Sequence, residues 1–172
     1  MTDTVEILKE LAKNYSYDPD TGYFTRILKT DPRTQVGDVA GSKRTRDTYV
    51  MVCLKRRAYP AHRLAWLLMT GNWPKDQIDH INRIKADNRF CNLRECNAQQ
   101  NSRNTAPSPH NKSGYKCVHW RGLAKKWAAI ICVDGERIEL GLFECRHDAA
   151  RAYNAKAKEV DSEFHYLNEV PL

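Results

Sequence analysis

Residues 78–104 read IDHINRIKADNRFCNLRECNAQQNSRN, and the fold of the first part of the chain turns on them. Ile78-Asp79-His80 closes a short strand-like run, and Asn92-Leu93-Arg94 opens a return strand. Asn97 with Gln100 three residues on has the form of a capping box, which starts a helix at Ala98 and puts Asn101 in its first turn. The spacing predicts a ββα unit in which the strand bearing Asp79 and His80 faces the helix bearing Asn101. Side chains alternate across a strand, so Asp79 and His80 point to opposite sides. One is placed to hold a cation while the other meets a reacting water. The Asp79 carboxylate and the Asn101 amide oxygen suit a hard ion such as Mg²⁺. His80 titrates near neutrality and suits a general base, with Asn92 placed to orient its other ring nitrogen. Asn82, Asp87 and Asn88 read as residues that shape the connecting loop.

The rest of the chain sets the context. It has 172 residues, with 28 Lys and Arg against 21 Asp and Glu, a net charge of +7. A hydrophobic content of 41% excludes a wholly disordered chain, and no apolar run reaches the roughly 18 residues of a membrane span. The opening MTDTVEILKE has no basic segment followed by an apolar one, so an intracellular protein that is not secreted is expected. A basic chain of this kind points first to nucleic acid and away from membranes. The six cysteines include no C-x-x-C pair, and Cys91 and Cys96 have no second pair at zinc-ribbon spacing, which argues against structural zinc. Cys53, Cys117 and Cys132 lie in alternating runs and read as small buried hydrophobes.

Charge is uneven along the chain. Residues 1–105 carry a net +6 and residues 106–172 a net +1. The break falls at TAPSPHNKSG (105–114), a Pro/Ser/Asn-rich stretch. The expected organisation is α+β: a domain over 1–104, a linker over 105–113 and a small domain over 114–170. In the first, Val5, Leu8, Leu11, Ala12 and Tyr15 fall on one helical face, with Thr2 or Thr4 as cap. Gly22 serves the turn in YDPDTGYF (17–24), strands follow at 36–40, 48–54 and 57–61, and a helix over 62–70 stops at Gly71. Arg44, Arg46, Arg56 and Arg57 sit on these hairpins, where they either follow a phosphate backbone or guard a sheet edge. In the second domain, strand-like runs at 115–121, 127–133 and 137–143 precede a helix over 147–160. Asp134-Gly135 is a two-residue hairpin turn. The product is a three-stranded antiparallel sheet with one helix.

Asp79-His80, Asn92-Leu93-Arg94 and Asn101 resemble the HNH nuclease motif, in the variant whose last histidine is asparagine. Ala61-His62-Arg63-Leu64-Ala65-Trp66 and Gly71 resemble what precedes that motif in phage homing endonucleases. The second domain resembles the plant APETALA-two/ethylene-response-factor DNA-binding domain, through Gly114-Tyr115-Lys116, Val118, Lys126-Trp127-Ala128-Ala129, Leu140-Gly141, Phe143, Ala149-Ala150-Arg151-Ala152-Tyr153-Asn154 and Leu167-Asn168. The resemblance implies a ββα-metal nuclease domain linked to a sheet-and-helix DNA-binding domain. It implies that His80 activates water, that Asp79 and Asn101 ligate one Mg²⁺ or Mn²⁺, and that Asn92 positions the catalytic loop and His80. The partner is double-stranded DNA, nicked or cut at a long, loosely read site inside a bacterial or phage-infected cell, by a monomer or a dimer. His62 either contacts phosphate or packs in the core. In the second domain Lys116, His119, Arg121, Lys125, Lys126 and Arg137 are the expected DNA contacts, and Trp127 a core residue. Two other readings remain open at this point: a DNA-binding regulator that no longer cuts, and a zinc-stabilised RNA-binding protein.

Overall fold

The computed structural model describes residues 4–161 and 163–171. It divides into two compact units, Met1–Ala98 and Gln99–Leu172.

The first unit opens with α1 (Thr4–Asn14), whose buried residues are Ile7, Leu11 and Asn14. Val5, expected on the buried face, is exposed, and Ile7 takes its place. The i, i+4 pair Ile7 and Leu11, continued by Tyr15, is the stripe that meets the core. Thr2 lies outside the described residues.

A three-stranded antiparallel sheet follows, made by β1 (Tyr15–Tyr17), β2 (Phe24–Arg26) and β3 (Val39–Ala40) in that order. The strand expected over 36–40 is only two residues long. Gly37 has a φ of 94° and the Gln35 N–H bonds to the Asp38 carboxylate at 2.7 Å, so the chain turns where a strand was expected. A second antiparallel sheet comprises β4 (Ser42–Lys43), β5 (Val50–Leu54) and β6 (Arg57–Pro60). Leu54 pairs with Arg57, leaving a two-residue loop in which Lys55 and Arg56 both have positive φ, 48° and 63°. That is the backbone of a type I′ turn, built without glycine. α2 (Ala61–Thr70) stops at Gly71, which adopts φ 75° and donates its N–H to Leu67 O. β7 (Gln77–His80) and β8 (Leu93–Cys96) form the antiparallel pair that carries the central motif, and a short 3-10 turn, Phe90–Asn92, leads into β8. Phe24, Val52, Leu54, Leu64, Leu67, Ile78 and Leu93 are among the side chains that close one core.

The turn between β1 and β2 supports the motif loop from below. Gly22 has φ 74°, and a Cβ there would lie 2.4 Å from Arg89 N and 2.5 Å from the Asn88 carbonyl carbon. Tyr17 Oη donates to Asn88 O at 2.7 Å, and the Phe90 N–H donates to Pro19 O at 2.9 Å. Gly22→Ala therefore incurs both a left-handed penalty and a backbone collision. We expect it to cost about 2–4 kcal/mol, read by urea unfolding.

In the second unit α3 (Ala98–Arg103) leads to a sheet ordered β11-β10-β9, from β9 (Val118–Arg121), β10 (Lys126–Val133) and β11 (Glu136–Phe143), followed by α4 (Arg146–Asp161). Val118, Ala129 and Ile131 pack on Ala149, Ala150, Tyr153 and Ala157, where the small residues let helix and sheet approach closely. Asn154 exchanges two hydrogen bonds of 2.8 Å with the Asn168 backbone. The Asn168 amide in turn pairs with both backbone groups of Lys116, at 2.7 and 3.1 Å. The segment expected as strand from 115 thus becomes paired backbone with Cys117 at φ 62°, and β9 starts only at Val118.

The stretch 105–113 is not a free tether. Ser113 is buried and bonded to Asn111 and Tyr115. The Lys116 ammonium takes the carbonyls of Arg103 and Thr105, both at 2.6 Å, and of Ser102 at 3.2 Å. The Tyr166 N–H reaches Arg103 O at 3.0 Å. These bonds draw the unit boundary back to Ala98 from the expected 104.

The six cysteines are free thiols, but Cys53 and Cys132 are exposed and Cys117 is half-buried, while Cys96 is buried. Alternation sends Val52 and Leu54 inward and Cys53 out, so the strand was right and its phase was not. Among the described residues no helix is long and apolar enough to cross a membrane.

Candidate active site

β7 and β8 place the motif by register. Asp79 stands opposite Arg94 and His80 opposite Leu93. Both Asp79 and His80 are buried. Arg94 grips Asp79 Oδ2 through Nε at 2.9 Å and Nη2 at 2.6 Å, and this ion pair is buried on both sides. Two charged donors converging on one carboxylate oxygen fix its place as well as balance its charge.

His80 is oriented by a residue expected only to shape the loop. Its Nε2 lies 3.3 Å from Asn88 Oδ1, while Asn88 Nδ2 donates to Ala86 O at 3.3 Å. The amide oxygen therefore faces the ring, which puts the proton on Nε2 and the lone pair of the neutral ring on Nδ1. Burial lowers the proton affinity of His80, and the Asn88 bond and the Asp79 charge oppose that shift.

Asn92, expected to position the loop and His80, holds the loop. Its Oδ1 accepts from Asn82 N at 2.9 Å, its Nδ2 donates to Asn82 Oδ1 at 3.0 Å and to Asp87 O at 2.9 Å, and its carbonyl accepts from Ile81 N at 2.9 Å. Asn82 also donates to Asp87 at 2.7 Å, and Arg89 closes the other side of Asp87, whose carboxyl it holds down at about 2. Asn92 thus acts on His80 through the loop that presents Asn88.

His62 lies inside the unit rather than on a phosphate-facing surface. Its ring is T-shaped against His80 with centroids 5.1 Å apart, and lies 5.0 Å from that of Tyr49. Its Nδ1 is buried with no hydrogen-bond partner among the described residues. Burial, followed by the neighbouring His80, lowers its pKa to about 3. The unfolded chain accepts this proton below its ordinary value of 6.5, and the folded chain refuses it until about 3. Stability from His62 is therefore complete above the ordinary value and is lost as pH falls through that window. Urea unfolding at pH 7 and pH 5 is expected to show the parent losing about 1–2 kcal/mol more than His62→Phe, which keeps the ring and removes the titration.

The chemistry of the donor set bears on a metal. Asp79 offers carboxylate oxygen, and Asn101, on α3 in the second unit, offers amide oxygen. Oxygen donors of this kind fit a hard divalent ion. Among the described residues no three His, Cys, Asp or Glu side chains group as a metal cage.

The expected DNA contacts separate into several environments. In the first unit Arg44 is tied to Asp47 across its own turn, Arg57 stacks over Tyr59 at 5.5 Å, and Arg46 and Arg56 are exposed at hairpin tips. In the second unit the β register sets His119, Arg121, Lys126 and Arg137 on one face of the sheet, opposite the face that packs on α4. Glu139 shares that face and pairs with Arg121 at 3.0 Å, and Lys126 pairs with Glu144 at 3.0 Å. Lys125 lies in the β9–β10 turn with φ 50°. Lys116 departs from expectation, because its ammonium caps the end of α3 as described above. Trp127 packs on the core and Trp120 remains exposed.

Residues 59–103 match the family model described as HNH endonuclease. A curated relative, an uncharacterized HNH endonuclease of Acanthamoeba polyphaga mimivirus, is 32% identical over 111 residues, covering 63% of this chain and 57% of the relative. The chain thus spans little more than half the length of that viral protein. No solved structure matches. The matched segment holds β7, β8, the loop between them and the helix bearing Asn101.

Proposed function

We propose that the chain is a metal-dependent endonuclease of homing type that hydrolyses phosphodiester bonds in duplex DNA. The observation that carries this reading is the buried His80, directed by Asn88 and flanked by the Arg94-held Asp79, within a segment that matches the HNH model. His80 Nδ1 takes a proton from water as the water oxygen bonds to phosphorus. The P–O3′ bond breaks, and the leaving oxygen takes a proton from solvent. Asp79 and Asn101 would offer the oxygen donors for Mg²⁺ or Mn²⁺, and the ion would supply charge stabilisation for the transition state. Burial keeps His80 neutral, so the base is ready at neutral pH. The sheet face carrying His119, Arg121, Lys126 and Arg137 adds DNA affinity, tempered by Glu139. Arg46 and Arg56 extend the phosphate grip at the hairpin tips. One such site per chain makes a nicking monomer the simplest actor.

The test is supercoiled plasmid incubated with Mg²⁺, with Mn²⁺ and with EDTA. Metal-dependent conversion to open circle or linear DNA is the expected result. Mobility shifts without cleavage at any metal level, on a library of target sequences, would instead assign the chain to DNA binding alone.

A further inference from the structure

The loop between β7 and β8 carries a cation that the roles above leave out. The Lys85 ammonium sits 4.9 Å from the centroid of the Tyr49 ring. That ring lies 5.9 Å from the His80 ring and 5.0 Å from His62. Lys85 is exposed and makes no ion pair among the described residues, since the acid nearest in sequence, Asp87, is held by Arg89 and Asn82. A lysine stem is flexible and its charge strongly hydrated, and the aromatic face restrains it at one place. A cation restrained on the ring that packs against the general base is placed to meet an anion bound there.

We propose that Lys85 is a catalytic residue that contacts a non-bridging oxygen of the scissile phosphate, with Tyr49 as the residue that positions it. The assignment rests on the nuclease reading above. As water adds, negative charge grows on the phosphoryl oxygens, and a fixed ammonium there stabilises the transition state more than the ground state.

The experiment uses the full chain, supercoiled plasmid and Mn²⁺, with single-turnover rates at saturating protein. DNA affinity is measured separately in EDTA. Lys85→Ala is expected to slow the rate about 10²-fold while changing affinity less than about threefold. Lys85→Arg should recover most of the rate. Tyr49→Leu should lose about tenfold, and Tyr49→Phe, which keeps the ring face, should lose less than Tyr49→Leu. A Lys85→Ala protein that cuts at the parental rate overturns the proposal. So does one whose affinity falls by the same factor as its rate, since that describes a general grip on DNA. His80→Ala runs alongside. If the parent cuts no better than His80→Ala, the nuclease reading itself fails, and the role of Lys85 falls with it.

Discussion

His80→Ala is expected to lower metal-dependent nicking by about 10²–10⁴-fold, the range a positioned general base contributes. The geometry makes the prediction more specific than loss of activity. His80 is aimed by Asn88, so Asn88→Ala should lose a smaller factor, and Asn88→Asp a different one. A carboxylate facing Nε2 favours the protonated ring and raises the pH at which the rate reaches its plateau. Asn92→Ala acts one step further out, through the loop that Asn82, Asp87 and Arg89 hold together. Its expected signature is a fall in both stability and rate. A rate–pH profile for each variant, beside a urea melt, separates the three. Parental cutting by His80→Ala would remove the base assignment outright.

The largest expected effect on stability belongs to Arg94. Its guanidinium meets a buried carboxylate across directly paired strands, with both side chains less than a tenth exposed. Removing one partner of such a pair costs about 3–5 kcal/mol, because the other charge remains desolvated. Arg94→Met should lose that much in urea unfolding. Arg94→Lys should recover only part, since a point charge does not reproduce the fork. Asp79→Asn combined with Arg94→Met should lose less than Arg94→Met alone, as the buried charge is then absent. A loss under about 1 kcal/mol for Arg94→Met would mean that Asp79 is held by other means.

Much of this was legible in the sequence, for local reasons. Gly71 ends α2, Asp134-Gly135 turns β10 into β11, and Asp79-His80 falls at the end of its strand, because each depends on a few adjacent residues. The missed features depend on what lies far along the chain. Asn88 orients His80 only because the loop folds back on itself, and Gly22 and Tyr17 hold that loop from more than sixty residues away. Alternation gave β5 but not its phase, so Cys53 was placed inside when it faces out. Lys116 looked like one more basic residue near an aromatic pair. No pattern around it announces three backbone carbonyls for its ammonium.

That lysine has a consequence for how such a protein can be reshuffled. The Pro-rich stretch after Asn104 invites a cut when domains are exchanged, by recombination or by design. Yet the end of α3 is fastened by Lys116, by the Tyr166 N–H and by Arg103 with Asp161, all belonging to the second unit. A graft joined at 105–113 would leave Asn101 on a helix stripped of its moorings. A graft joined before Ala98 would carry helix, asparagine and anchors together. The exchangeable module is therefore longer than its composition advertises, and a domain grafted in its place must bring its own counterpart of α3 with it.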